Sequence, residues 1–186
     1  MKLGAVILAA GGGTRLGGVA KALLPIGDHT YLDRIVATAR EANVTELVVV
    51  VAAPFASDVR PQAIALGATV IDNPDPARGM ASSIALGFAA LAASDAALLW
   101  PVDHPFVAPE TLRSLRYALQ GHAAARPRHQ GRGGHPPLIA RSLWPALAAC
   151  ADHGARAVLA AADVVEVNVA DAGVVRDVDT REDLVS

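Results

Sequence analysis

A six-residue apolar run near the amino terminus, Ala5 to Ala10, ends in three consecutive glycines, Gly11 to Gly13. A run without polar alternation is typical of a strand that is buried on both faces, which requires covering layers on both sides of its sheet. The glycines predict a loop whose backbone N–H groups approach a ligand closely, and Arg15 and Lys21 follow in the same loop. Backbone amides beside two cations predict a binding site for a polyphosphate.

Two well-known phosphate-binding loops are excluded by the residues present. A P-loop has the pattern GxxxxGK[ST], but Lys21 is followed by Ala22, so the hydroxyl that would bind magnesium is missing. The dinucleotide-binding pattern GxGxxG fails because Leu16 occupies its third glycine position. A glycine-rich turn without a ligand is the remaining alternative, and the two cations in the loop argue against it.

Strand and helix signals alternate along the chain. They predict strands at 5–10, 47–51, 68–71, 96–100, 137–140, 164–169 and 174–178. They predict helices at 32–42, 57–66, 79–93, 109–119, 142–149 and 155–161. Repeated βα units predict an α/β fold, a Rossmann-like three-layer sandwich with a mainly parallel central sheet, in one domain over residues 1–186.

Composition limits the classes of partner and compartment. Hydrophobic residues make up 53% of the 186 residues and aromatic residues only 4%, so Ala, Val, Leu and Ile must build the core. The net charge of −2 supplies no basic field for nucleic acid. Cys150 is the single cysteine, which excludes an internal disulfide and predicts a cytoplasmic protein. No run is long and apolar enough to span a bilayer, so no membrane partner is expected.

Asp103 follows the strand predicted at 96–100, in the segment WPVDHPFV. Open α/β sheets bind ligands at the carboxyl ends of their strands, and a carboxylate there is well placed to hold Mg²⁺ against a nucleotide phosphate. The alternative is a turn residue or helix cap, because Pro101 and Pro105 favour a turn. We favour the metal-binding interpretation because the glycine-rich loop predicts a charged ligand nearby.

The segment LAAGGGTRLGGVAKALLPIG resembles the signature loop of the nucleoside-triphosphate transferases, about LAAGxGxRxG followed by Lys. The resemblance implies that Arg15 and Lys21 are catalytic and stabilise the phosphoryl-transfer transition state. It also implies that Asp103, in place of the aspartate of a GDQP-like segment, is catalytic and binds Mg²⁺, although Val102 and His104 depart from that pattern. The nucleotide-binding residues that it implies in the loop are Leu8, Ala9, Ala10, Gly11, Gly12, Gly13 and Thr14.

A second segment, NPDPARGMASS, resembles the NPxxxxGMSxS segment of molybdenum-cofactor cytidylyltransferases. The resemblance implies that Asn73, Gly79, Ser82 and Ser83 help to bind the base and ribose. A helix start also offers free N–H donors to such a ligand. Ordinary capping of that helix by Ser82 or Ser83 is the alternative.

A third segment, GGHPP at 133–137, resembles the RGHPV segment on the acceptor side of the same family. The resemblance implies acceptor contacts from His104, Gly134, His135 and Pro136, with His135 bonding to a phosphate or pterin group. A solvated loop histidine is the alternative. The nearby cations Arg126, Arg128 and Arg132 fit an anionic acceptor or, equally well, a solvated surface.

The carboxyl-terminal segment RDVDTREDL resembles the DIDTPEDL ending of the family. The resemblance implies that Asp179 is a second magnesium ligand, and Arg181 replaces the usual proline. Capping of the last helix by Asp179 or Thr180 is the alternative.

The resemblance covers nearly the whole chain and implies that CTP donates a nucleotidyl group to molybdopterin, with release of pyrophosphate. An acceptor phosphate is already an anion, which agrees with the lack of a Ser-His-Asp or Cys-His signature. The spacing in RLGGVAK is that of the guanylyl branch, whereas LAAG is cytidylyl-like. A guanylyltransferase, a sugar-phosphate nucleotidyltransferase and a non-catalytic nucleotide-binding or cofactor-binding protein therefore stay open. The expected partners are a nucleoside triphosphate and a phosphorylated acceptor, and transient contact with a molybdoenzyme or its chaperone is compatible with this role.

Overall fold

Ten strands and six helices are present in the described part of this computed structural model, which comprises residues 1–11, 18–149 and 154–178. The strands are β1 (Leu3–Leu8), β2 (Pro25–Ile26), β3 (His29–Thr30), β4 (Val44–Val51), β5 (Thr69–Asp72), β6 (Ala96–Pro101), β7 (Ala124–His129), β8 (Arg132–Gly133), β9 (Leu138–Ala140) and β10 (Val164–Asn168). The helices are α1 (Tyr31–Glu41), α2 (Ala56–Ala65), α3 (Met80–Ala89), α4 (Pro109–Ala118), α5 (Trp144–Ala149) and α6 (Gly154–Ala161). The six predicted helices are confirmed, with ends shifted by a few residues.

Eight of the described strands form one sheet in the order β10-β7-β9-β6-β1-β4-β5, with β8 paired to β7 beside this path. Strands β8 and β9 run antiparallel to their neighbours, and the others are parallel to one another. The short strands β2 and β3 form a separate antiparallel ribbon. The prediction of a mainly parallel sheet is confirmed. As a result, the carboxyl ends of six strands lie along one edge of the sheet, and β9 begins at that edge.

Helices cover both faces of the sheet because successive side chains of its central strands point to opposite sides. In β1, Ala5 and Ile7 pack on the side of α1, α2 and α4. Val6 and Leu8 pack on the other side, against α3, α5 and α6. The whole of β1 is buried, as its unbroken apolar run predicted. The three-layer α/β fold expected from the sequence is therefore the observed one.

The strand predicted at 174–178 is wrong. Residues Ala172–Val175 form a 3-10 helix, because the Asp171 carboxylate accepts a hydrogen bond from the Gly173 amide and starts a tight turn. Val174 and Val178 are fully buried, which explains the apolar signal. A turn of helix and a short strand give the same signal when only every few residues face the core.

The sequence reading also missed β7, where only a segment of cations was noted. Arg126, Pro127 and Arg128 interrupt any apolar alternation, so the usual strand signal is lacking. The strand forms because β9 pairs on one side of it and β10 on the other.

None of the described helices has the length and hydrophobicity required to traverse a bilayer.

A turn at the amino edge of the sheet explains why α3 ends at Ala89 rather than at 93. The Glu46 carboxylate accepts hydrogen bonds from the amides of Ala92 and Ala93 at 2.6 and 3.2 Å, and from the Ser94 hydroxyl at 2.5 Å. Burial raises the pKa of Glu46, but these hydrogen bonds together outweigh burial, so the pKa lies below its usual value of 4.5.

Replacing Glu46 with Gln is expected to lower the free energy of unfolding at pH 7 by about 1.5–3 kcal/mol, because hydrogen bonds to a charged acceptor are lost. A carboxylate with a lowered folded-state pKa stabilises the fold above its unfolded pKa, and this contribution is lost as the pH falls through the folded-state pKa. The gap in melting temperature between wild type and variant should therefore narrow below pH 4.5. Thermal unfolding of both proteins from pH 7 to pH 3 measures this difference in melting temperature. Glu110→Gln is the control, because Glu110 is exposed. A gap that does not change with pH would contradict the role of the carboxylate.

Candidate active site

Three loops that leave the carboxyl edge of the sheet are fixed by backbone hydrogen bonds. The Ala9 amide donates to the Val50 carbonyl at 2.8 Å, just after β1. The Asn73 amide donates to Val51 at 2.7 Å after β5, and the Val102 amide donates to Leu8 at 3.2 Å after β6. These bonds extend the strand ladders by one residue. They bring the first residues of the glycine-rich loop, the segment at 73–83 and the segment at 102–104 to one edge.

Lys21 and Asp103 face each other at this edge. Lys21 begins a 3-10 turn that ends at Leu23, and its Nζ lies 3.9 Å from Oδ2 of Asp103. The two side chains are 16% and 27% exposed, so both are shielded yet reachable by a ligand. An ammonium and a carboxylate at this distance can bind a phosphate and its metal counter-ion side by side. The structure thus brings together two of the three residues predicted to be catalytic.

The backbone on both sides of Asp103 is held in place, which orients its carboxylate. The Val178 amide donates to the Asp103 carbonyl at 3.0 Å, and the Trp100 indole donates to the His104 carbonyl at 2.9 Å. A turn is present, since the His104 amide donates to Pro101. Helix α4 is preceded by Ala108 with no side-chain cap, so the alternative of Asp103 as the helix cap is wrong.

The buried His104 and the half-buried His135 form a ring pair beside Asp103. Their ring centroids are 4.9 Å apart, and Nε2 of His104 lies 3.8 Å from Oδ1 of Asp103. Burial, with smaller electrostatic effects of His104 and Arg126, lowers the pKa of His135 to about 4, and Asp177 opposes the shift. His135 is therefore neutral at pH 7, and its Nδ1 has no hydrogen-bond partner within the described residues. The half-buried ring, with Nδ1 shielded from solvent, differs from the fully solvated loop histidine of the alternative.

Gly134 has a packing role that holds His135 in place. A Cβ atom at Gly134 would lie 2.4 Å from the carbonyl oxygen of Val174, closer than any side chain tolerates. This approach lets the His135 amide donate to the same carbonyl at 2.8 Å, and the Gly134 amide donates to Pro127 at 2.8 Å. Pro136, which follows, is buried. Acceptor contacts of Gly134 and Pro136 stay a prediction.

Asn73 organises the loop between β5 and α3. Its Nδ2 donates to the hydroxyls of Ser82 and Ser83, each at 2.9 Å, and its Oδ1 accepts from the Asp75 amide at 3.0 Å. The residue before α3 is Gly79, whose φ of 81° favours glycine, and no side chain caps this helix. The alternative that Ser82 or Ser83 caps α3 is therefore wrong, because both hydroxyls accept from Asn73. Their contact with a nucleotide, and that of Asn73 and Gly79, stays a prediction.

Several predicted site residues lie outside the described part of the chain. These are Gly12, Gly13, Thr14, Arg15 and Asp179. Leu8, Ala9, Ala10 and Gly11 lie within the described part of the chain, and their contacts with a nucleotide stay a prediction.

The oxygen ligands available at this edge fit a magnesium ion that takes its remaining ligands from a substrate and from water. Within residues 1–11, 18–149 and 154–178, no group of three or more His, Cys, Asp or Glu side chains is close enough to hold a metal alone. Mg²⁺ commonly binds one or two carboxylates and completes its shell with water and substrate phosphates. A single partly exposed carboxylate, that of Asp103, is compatible with such a site.

A cavity of about 700 Å³ opens beside His135, between the end of β6, strands β7 and β8, and helices α3 and α6. Its charged lining comes from Arg126, Arg156 and Glu166. Its apolar walls include Ile84, Leu99, Leu159 and Val164. A volume of this size suits a small organic ligand.

Sequence reasoning missed Glu166, which accepts hydrogen bonds from both Arg126 and Arg128. Glu166 lies directly opposite Arg126 in the parallel pair of β10 and β7. No sequence signal could have found this contact, because it depends on which two strands become neighbours.

The comparisons with known proteins agree with this geometry. Residues 5–167 match the family model described as the MobA-like NTP transferase domain. A molybdenum cofactor guanylyltransferase from Acidiphilium cryptum is 40% identical over 151 residues, which cover 79% of this chain and 69% of the relative. A nicotine blue oxidoreductase from Paenarthrobacter nicotinovorans is 32% identical over 190 residues, which cover 96% and 93%.

Solved structures show the same fold over almost the full length. The crystal structure of Rv0371c from Mycobacterium tuberculosis superposes with a TM-score of 0.85 at 29% identity, covering 99% of this chain and 96% of that one. A complex of Rv0371c with manganese superposes with a TM-score of 0.80 at 29% identity and the same coverage. The fold, the matched family model and the relatives lead to one conclusion: the chain belongs to the MobA-like NTP transferase domain family and is a nucleotidyltransferase.

Proposed function

We propose that this chain transfers a cytidylyl group from CTP to the phosphate of a molybdopterin-type acceptor, with release of pyrophosphate and with Mg²⁺ as cofactor. The observation that carries the proposal is the approach of Lys21 and Asp103 at the carboxyl edge of the sheet. The LAAG and NPDPARGMASS segments support CTP as the donor. The guanylyltransferase relative and the RLGGVAK spacing support GTP as the second candidate donor.

In the proposed reaction an acceptor phosphate oxygen forms a bond to the α-phosphorus of the nucleotide, and the bond from the α-phosphorus to the bridging oxygen of the β-phosphate breaks. The ammonium of Lys21 binds phosphate oxygens and stabilises the charge that develops on them. Asp103 would hold Mg²⁺, which supplies further charge neutralisation when bound. The attacking phosphate is already ionised, so no general base is needed. The neutral ring of His135 has one nitrogen that can donate and one that can accept, so it can form an uncharged hydrogen bond with the acceptor.

The donor is tested by thermal unfolding of the full chain with CTP, GTP, ATP and UTP in the presence of Mg²⁺. A ligand at about 100 times its Kd stabilises the native state by about 2.7 kcal/mol, which raises the melting temperature of a chain of this size by about 5–10 °C. We expect CTP to give the largest shift. A larger shift with GTP would replace the cytidylyl assignment by the guanylyl one, and no shift with any nucleotide would contradict the proposal.

The acceptor is tested by pyrophosphate release with the preferred nucleotide. We expect release with molybdopterin and none with hexose 1-phosphates. Release with a sugar phosphate alone would make the chain a sugar-phosphate nucleotidyltransferase. Tight nucleotide binding without release for any acceptor would indicate a nucleotide-binding or cofactor-binding protein without catalytic activity.

The Paenarthrobacter relative favours an oxidoreductase as a second candidate function, because the match covers 96% of this chain. The same thermal assay tests it when NADH and NADPH are included. A larger shift with either dinucleotide than with any triphosphate would support the redox function and contradict the transferase proposal.

A further inference from the structure

The guanidinium of Arg126 lies against Gly133 of the neighbouring strand. A Cβ atom at Gly133 would lie 3.1 Å from Cζ and 3.2 Å from Nε of Arg126. Nε is buried and has no hydrogen-bond partner within the described residues. A Cβ atom at position 133 would require this guanidinium to shift by a few tenths of an ångström.

Glu166 holds the same guanidinium from the opposite side. Its carboxylate accepts hydrogen bonds from Nη2 of Arg126 and from Nη1 of Arg128. The hydrogen bond from Arg126 is the main cause of the lowered pKa of Glu166, so the carboxylate is charged at neutral pH. Two cations around one carboxylate leave a net positive charge. Glu166 therefore fixes the guanidinium of Arg126, while the cluster of Arg126, Arg128 and Glu166 keeps a net positive charge.

Part of the Arg126 side chain remains available to a ligand. It is 41% exposed although Nε is buried, so its exposed portion lies elsewhere on the side chain. Nη2 donates to Glu166, and Nη1 donates no hydrogen bond within the described part of the chain. Arg126 also lines the cavity of about 700 Å³. Arg128 does not line it, and besides its bond to Glu166 it donates to the Gly131 carbonyl.

We propose that Arg126 binds an anionic group of the acceptor, and that this acceptor is an organic anion whose apolar body packs against the cavity walls. The identification of this ligand as the acceptor rests on the proposed function. The anion site itself rests on the cavity and on the contacts of Arg126. A guanidinium binds carboxylates, sulfonates and phosphates in the same way, through paired N–H donors. The apolar part of the ligand would pack against Ile84, Leu99 and Val164.

The test uses the full chain and a fluorescent probe, 8-anilinonaphthalene-1-sulfonate, which combines an apolar body with one anionic group. Titration should show that Arg126→Ala weakens probe binding by about 10- to 100-fold, the effect of losing a charged hydrogen bond. Arg128→Ala is the matched control, because it removes a cation bonded to the same carboxylate outside the cavity. It should change the affinity by less than about fivefold. The uncharged N-phenyl-1-naphthylamine should bind wild type and Arg126→Ala equally.

A second variant keeps every charge and changes only the position of the guanidinium. Gly133→Ala introduces a Cβ atom 3.1 Å from Cζ of Arg126, so the guanidinium must move by a few tenths of an ångström and probe binding should weaken less than in Arg126→Ala. Unchanged melting temperatures would show that these variants fold. The proposal is overturned if the probe does not bind wild type, or if Arg126→Ala and Arg128→Ala weaken it equally, or if Gly133→Ala weakens it more than Arg126→Ala does.

The binding assay separates this inference from the proposed function, since it needs neither a nucleotide nor turnover. Probe results as expected, without pyrophosphate release for any acceptor, would support the anion site and reject the transferase function. With active enzyme, Arg126→Ala should raise the KM for the acceptor by about 10- to 100-fold and leave the thermal shift by the nucleotide unchanged. An unchanged acceptor KM would overturn the assignment to the acceptor even if the probe binds.

Discussion

Replacing Asp103 with Asn is expected to lower the rate of pyrophosphate release by about 10²–10³-fold, the size of effect found when one preorganised electrostatic group is removed from a reacting centre. The amide keeps the size and shape of the side chain but lacks the negative charge that would hold Mg²⁺ beside the phosphates. The loss should appear in kcat at saturating nucleotide, measured by coupled detection of pyrophosphate.

The backbone contacts of Asp103 with Val178 survive this substitution, so the fold should be spared. Asp163→Asn is the matched control: Asp163 is 68% exposed and pairs with His122 on the surface. Its turnover should equal that of wild type. Full activity of Asp103→Asn across a magnesium titration would remove the metal assignment and leave Asp103 as a turn residue.

The second large effect is expected for Lys21→Ala, which should lower kcat by about 10²–10³-fold. The ammonium lies 3.9 Å from the Asp103 carboxylate. At this position it can stabilise the negative charge that develops on the phosphates as the bond to pyrophosphate breaks. Lys21→Arg retains the charge but has a planar head of different shape, so it should recover only part of the rate. Single-turnover measurements of nucleotide transfer would separate this loss from slow product release.

Lys2 is the other lysine of the chain and offers a matched control. It precedes β1 and so lies at the amino edge of the sheet, opposite the candidate site. Lys2→Ala should leave kcat unchanged. The double variant Lys21→Ala/Asp103→Asn should lose less activity than the product of the two single losses, because the two groups act on the same phosphates. Multiplicative losses would show that they act independently, and an active Lys21→Ala would exclude Lys21 from the reaction.

The accuracy of the sequence-based predictions differed between local and long-range features. The apolar run in β1 and the periodic helix α4 follow from side chains that repeat every two or about three and a half residues, so they could be predicted locally. The failures have local causes as well. β7 carries arginines where alternation was expected, and Val174 belongs to a short helix that buries the same residues as a strand would.

Sequence motifs selected several residues that the structure places near one edge of the sheet, but they did not predict the contacts that these residues make. Asn73, Ser82 and Ser83 were selected by motif, yet the structure uses them to hold one another. His135 was selected by motif too, but its burial against His104, which makes it neutral, is a property of the packed molecule. A pKa depends on the surroundings of a group in three dimensions, and these are not written in the residues beside it.

The amino-acid sequence alone determined the alternation of strands and helices and the double-sided burial of β1, because these depend on neighbours within a few residues. The tertiary structure alone decided that Lys21 meets Asp103, that Glu166 faces Arg126, and that the guanidinium of Arg126 rests on Gly133. These contacts join segments far apart in the chain. They exist because strand order and parallel direction place particular residues at one edge of the sheet, and neither can be read from the periodicity of any single segment.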